Sequence, residues 1–131
     1  MESEVTDFPE PELLGRDGVI TIPHLGASTP EAETNSAIMA ARQLADYLER
    51  GTVRNGVNLP DCAMDGNGGD RIVLANRNVP NMVGQVTTIL AEAGLNISDM
   101  LNRHRGDLAY NIIDIDSGVD QTVIDRLTAI D

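Results

Sequence analysis

The chain has 131 residues but no lysine, no tryptophan, one phenylalanine and one cysteine. Its nine basic residues are therefore all arginine, set against 21 Asp and Glu. Without lysine, neither Schiff-base chemistry nor a P-loop is available. The lone Cys62 allows no intrachain disulfide and no thiolate zinc cage, so no metal site is expected. Single-cysteine usage fits a reducing compartment, and a cytoplasmic location is expected. No apolar run reaches the roughly 18 residues that suggest a membrane helix, and no signal-peptide pattern is present. A soluble, unexported protein is expected. A net charge of −12 disfavours nucleic acid and anionic membrane surfaces as partners. With so few aromatic residues, the core falls to Ile, Leu, Val, Ala and Met. No Gly-x-Gly-x-x-Gly pattern occurs anywhere in the chain.

The stretch Arg71 to Asn96 organises what is present. Arg71 to Asn78 has the aliphatic and β-branched weight of a strand, in Ile72, Val73 and Leu74. Val79-Pro80-Asn81 breaks it, because the residue before proline is held extended and proline suits a helix's first turn. From Met82 the apolar spacing turns helical, through Val86, Ile89, Leu90 and Ala93. Gly94 closes that helix as a left-handed cap, and Leu95-Asn96-Ile97 opens the next strand. Asn76, Asn78 and Asn81 thus fall near a helix N-terminus, where free N–H groups and the helix dipole favour a carboxylate. Turn formation and capping are the other uses that asparagine has in such a loop.

Downstream, a strand through Arg105, a turn at Gly106-Asp107 and a strand from Leu108 to Asp116 are predicted. In the last of these Tyr110, Ile112 and Asp114 face one way, and Ala109, Ile113 and Ile115 the other. Val119 to Ile130 is predicted helical, with Asp120 as N-cap. The order β-α-β-β-α is that of a ferredoxin-like unit short of its final strand.

Upstream, Glu4-Val5-Thr6 reads as the end of a strand and Val19-Ile20-Thr21-Ile22 as a buried strand of the parallel type. Ser28 or Thr29 can cap the helix expected from Pro30 to Arg50, which Gly51 ends. His24 lies between that buried strand and a glycine turn, a suitable place for a catalytic base as well as for a capping or packing histidine. Residues 61–70 are polar, glycine-rich and without periodicity. They read as a linker between a segment 1–60 and a segment 71–131.

Ile22-Pro-His-Leu-Gly-Ala-Ser-Thr-Pro-Glu-Ala-Glu33, with Arg54-Asn-Gly-Val-Asn-Leu-Pro60, resembles the end of the catalytic part of the D-2-hydroxyacid dehydrogenases. Residues 71–131 resemble the ACT domain that follows it in many members. The resemblance implies an α/β (α+β) fold, in which the edge of a Rossmann-type nucleotide-binding domain precedes a ferredoxin-like βαββα(β) ACT domain. It also implies that the chain is a C-terminal piece whose dinucleotide loop and substrate arginine lie upstream. NAD is the implied cofactor. His24 matches the family's proton acceptor, and Glu10 looks like its carboxylate partner. Asp7 is similar to the aspartate at the nicotinamide amide, and Leu25, Gly26 and Ala27 match the backbone lining the nicotinamide pocket. The resemblance further implies a homo-oligomer through the ACT domains, with a small amino acid such as L-serine bound between chains. Asn78 and Asn96 match two effector contacts, Asn76 stands at a histidine position, and Asn81 replaces a glycine. A stand-alone amino-acid sensor and a dimerisation module without catalysis are the alternatives.

Overall fold

In the computed structural model, residues 3–66 and 68–130 are described. Residue 67 of the expected linker and Asp131, at the end of the expected ACT segment, lie outside them. The described part is mixed α/β and divides into two compact units, Met1–Ala40 and Ala41–Asp131.

The first unit holds two three-residue strands, β1 (Glu4–Thr6) and β2 (Val19–Thr21), paired in parallel with Val5 opposite Ile20. A 3₁₀ turn, Pro11–Leu13, lies between them. The parallel pairing matches the sequence expectation, but burial does not. Ile20 is 56% exposed and Val5 62%, because nothing in this unit covers either face of so small a sheet. Helix α1 (Pro30–Arg50) begins in this unit, with its proline at the first turn. Thr29, rather than Ser28, performs the capping: its Oγ1 accepts from the Ala32 N–H at 3.1 Å. No residue of α1 is buried, and its apolar side chains, Met39 and Leu44 among them, stand exposed.

The second unit is built on an antiparallel sheet of β3 (Asp70–Arg77), β4 (Ile97–Arg105) and β5 (Leu108–Ile115), in the order β3-β5-β4. Helices α2 (Met82–Glu92) and α3 (Gln121–Thr128) complete it. Every element starts and stops within a few residues of its sequence signals. Asp120 caps α3 by accepting from the Val123 N–H at 2.9 Å, and Gly94 takes φ 71° after α2. One face of β5 is covered by the helices: Ile113 and Ile115 pack with Val86, Leu90 and Val123. Leu90 is wholly buried, which stabilises by roughly 2–3 kcal/mol for a side chain of that size.

The opposite face of β5 is buried too, against the chain between α1 and β3. Tyr110 and Ile112 pack with Val53 and Cys62, flanked by Leu59, Met64 and Leu101. Val53 and Cys62 form an isolated antiparallel bridge, and Cys62 is 1% exposed. The stretch expected to be a linker is thus structured at its start. The compact units divide between Ala40 and Ala41, not within 61–70.

Two side chains tie this cover to the sheet. Arg71 meets the buried carboxylate of Asp114 through two bonds, Nε to Oδ1 at 2.6 Å and Nη2 to Oδ2 at 2.8 Å. Its Nη1 donates to the carbonyls of Arg50 and Met64, both at 3.1 Å. Tyr110 donates its hydroxyl to the Gly51 carbonyl at 2.8 Å. Gly51 has φ 66°, and a Cβ there would stand 2.3 Å from Val73 Cγ2, so only glycine fits this close approach.

Removing Arg71 leaves Asp114 as a buried carboxylate without its strongest partner. Arg71→Met is therefore expected to destabilise by about 3–5 kcal/mol. Arg71→Met with Asp114→Leu should recover much of that loss in denaturant unfolding. Burial, assisted by Tyr47 and Cys62, pushes the Tyr110 phenol up to about 12. A phenol with a raised folded-state pKa adds stability that is complete below its unfolded value, about 10, and is lost as pH rises towards 12. Stability should fall across that window, and Tyr110→Phe should remove this part of the fall.

Candidate functional site

Two groups of polar residues stand apart from the packing. The first is in unit one, where the chain leaving β2 places His24 beside the chain leaving β1. His24 Nδ1 lies 2.7 Å from Asp7 Oδ2, and both side chains remain about half exposed. The ring of Phe8 stands 4.4 Å from that of His24, centroid to centroid, tilted by 48°. A carboxylate at that distance fixes the orientation of the ring through Nδ1, and Nε2 is turned away from it.

The carboxylate against His24 is thus Asp7 and not Glu10. Glu10 precedes the 3₁₀ turn, where its backbone carbonyl accepts from Leu13 N at 2.9 Å. After His24 the chain turns, with Ser28 N donating to Leu25 O at 3.1 Å. At Gly26 nothing lies within 4 Å of where a Cβ would be, so the backbone of Leu25-Gly26-Ala27 is accessible there. Those residues could line a flat ring placed beside His24, and they include no loop that could cradle a pyrophosphate.

The second group lies where β3 runs into α2. Asn76, Asn78 and Asn81 line one cavity of about 160 Å³, together with Arg77, Val79, Met82, Val83, Gly84, Asn102 and Ala109. Asn81 takes φ 70°, the left-handed region that asparagine tolerates best after glycine. Its side chain does not cap α2; its Oδ1 instead occupies the space where a Gly84 Cβ would come within 2.5 Å. Asn78 donates to the Gly106 carbonyl at 3.3 Å, which ties the loop to the β4–β5 turn. Asn96 does not join these residues within the chain. It lies at the start of β4, where its carbonyl accepts from Asp116 N at 3.3 Å.

Beneath two of the lining residues, Asn76 and Asn102, lies a residue that the sequence pattern does not single out. Asn111, 2% exposed on the helix-covered face of β5, donates through Nδ2 to Asn76 Oδ1 at 2.7 Å. Its own Oδ1 accepts from Asn102 Nδ2, so three carboxamides cross the three strands in a row. The available signal was an asparagine set into the apolar run Tyr110-Asn111-Ile112-Ile113, a polar group that burial obliges to find partners.

Among the described residues no His, Cys, Asp and Glu group could hold a metal ion, and no helix is long and apolar enough to cross a membrane. No family model matches the chain. Its curated relatives are dehydrogenases. More particularly, the chain is homologous to D-3-phosphoglycerate dehydrogenases: 32% identical over 104 residues to that of Escherichia coli K12, covering 79% of this chain. It is 33% identical over 118 residues to D-3-phosphoglycerate dehydrogenase 1 of Saccharomyces cerevisiae, covering 86% of this chain. Haemophilus influenzae has another such dehydrogenase, 28% identical over 116 residues and 88% of this chain. The chain spans about a quarter of the length of these relatives, 25%, 24% and 28% in turn.

Asn81→Gly keeps the left-handed turn and clears a side chain from the cavity wall. It should change unfolding free energy by no more than about 1 kcal/mol. Asn81→Val, β-branched at positive φ, should lower it clearly more in the same denaturant titration.

Proposed function

We propose that this chain is the C-terminal part of a D-3-phosphoglycerate dehydrogenase. In the complete enzyme, 3-phospho-D-glycerate is oxidised to 3-phosphohydroxypyruvate with NAD, on the route to L-serine. The homology supports the family, and the His24–Asp7 pair carries the catalytic reading. His24 takes the proton of the substrate hydroxyl at Nε2, while Asp7 holds the ring in place through Nδ1. NAD, when bound, supplies the hydride acceptor. Leu25, Gly26 and Ala27 would line its nicotinamide end, and Asp7, beside His24, would meet its amide. Glu10 keeps no role in this reading.

Residues 1–60 are then the edge of the nucleotide-binding domain and 71–131 an ACT domain. The exposed apolar residues of β1, β2 and α1 support the first half, since such a surface calls for cover. The sheet order β3-β5-β4, with α2 and α3 packed on one face, supports the second. An apolar groove of about 830 Å³ along the edge of β3, lined by Ile72, Leu74, Val119, Leu127 and Ile130, would receive the last ACT strand. The complete protein is a cytoplasmic homo-oligomer that pairs through β4, bringing Asn96 of one chain to the cavity of the next. L-serine or a similar small amino acid binds there and regulates the enzyme. A sensor without catalysis is the weaker reading, because it has no use for a histidine held by a carboxylate.

The chain alone should not oxidise NADH with 3-phosphohydroxypyruvate, for want of a dinucleotide loop and a substrate arginine. In the complete enzyme His24→Ala should lower kcat by at least roughly 10²-fold, the size of a lost general base. A near-normal rate in that variant would remove His24 from the chemistry.

A further inference from the structure

The row of three carboxamides, Asn76 and Asn102 at the cavity and Asn111 between them, has a polarity that the backbone imposes. Asn76 Nδ2 donates to the Arg77 carbonyl at 2.7 Å, and a carbonyl can only accept. Asn76 Oδ1 must therefore face Asn111, and it accepts from Asn111 Nδ2 at 2.7 Å. The second N–H of Asn111 points to another backbone acceptor, the Leu74 carbonyl at 3.5 Å. Both its protons are committed, so Asn111 Oδ1 must accept, and Asn102 must present its NH₂ inward. The row can be read in one direction only. It ends at Asn102, which lines the cavity, with Nδ2 turned to Asn111 and Oδ1 as the outer atom of the row.

We infer that Asn102 Oδ1 is the acceptor that selects the ligand's ammonium group, and that buried Asn111 is the positioning residue that turns it outward. This rests on the reading of the cavity as an amino-acid site and adds its chemical rule. The amine end of the ligand meets an oxygen whose orientation cannot reverse. Were Asn102 free to rotate, it could turn its NH₂ to a hydroxyl in place of the amine, whereas an ammonium, which only donates, gains nothing from that NH₂. Because Asn111 holds the oxygen outward, the ammonium of L-serine makes a charge-assisted bond there and the hydroxyl of L-glycerate only a neutral one, in two ligands of similar size that share the carboxylate and the terminal hydroxyl.

The test is calorimetric titration of the full chain, in its native oligomer, with L-serine and with L-glycerate. Wild type should bind L-serine at least about tenfold tighter than L-glycerate, the scale of one hydrogen bond to a charged group. Asn102→Leu should abolish that preference by weakening L-serine about tenfold and leaving L-glycerate nearly unchanged. Asn111→Leu should also collapse the ratio, whereas a merely structural role would weaken both ligands alike. If either variant fails to fold, as seen in its thermal unfolding, the other decides. Wild type that binds neither ligand would overturn the amino-acid site itself. Wild type that binds L-serine, with its preference intact in the folded variants, would overturn the roles of Asn102 and Asn111 alone.

Discussion

The ion pair of Arg71 with Asp114 is the interaction on which the second unit depends. Asp114 lies on a strand buried on both faces, where an isolated carboxylate would be several kcal/mol too costly to keep ionised. Arg71 makes it tolerable by a two-point bond and then spends its third nitrogen on two carbonyls, Arg50 and Met64. Those carbonyls are the last of α1 and one near the start of β3. A single guanidinium therefore joins the helix end, the intervening chain and the central strand. Tyr110 adds a second tie to Gly51, one residue beyond the first, so the cover over this face is pinned by polar bonds as well as by apolar contact.

The order of elements was legible because each carries its own punctuation. Pro30, Pro80, Gly51, Gly94 and Asp120 stand where the helices begin or end, and the apolar period changes from two to three and four at Met82. The second cover on β5 was not read, although Tyr110-Asn111-Ile112-Ile113 implies it. A strand apolar on both faces needs something on each. What hid the answer is that Val53, Leu59 and Cys62 are too widely spaced to show a period, and the glycines at 66, 68 and 69 look like a free linker. Local pattern cannot show which distant face an irregular segment will cover.

The polar sites divide the same way. His24 and Asp7 are 17 residues apart, and no helical or strand spacing links them; parallel pairing of β1 with β2 brings their exits together. Glu10, nearer in sequence, stands exposed at the start of the 3₁₀ turn, and the carboxylate on His24 is that of Asp7. Asn76, Asn78 and Asn81 were visible as loop residues beside a helix start. Asn102 and Asn111 were not, since their meaning depends on strand register. The register that pairs Leu74 and Asn102 with Asn111 also aligns the carboxamides.

That register has a further consequence, for misfolding rather than for binding. Side chains on a strand alternate, so a slip of β5 by one residue would exchange its two faces. Asp114 would then enter the aliphatic cluster of Val86, Leu90 and Val123, with no guanidinium in reach, and Asn111 would lose both of its carboxamide neighbours. On a wholly aliphatic β5 the same slip would lose little, because one branched side chain fills a gap about as well as the next. Asn111 and Asp114 thus make a one-residue slip of the hairpin expensive, and so help to hold its register.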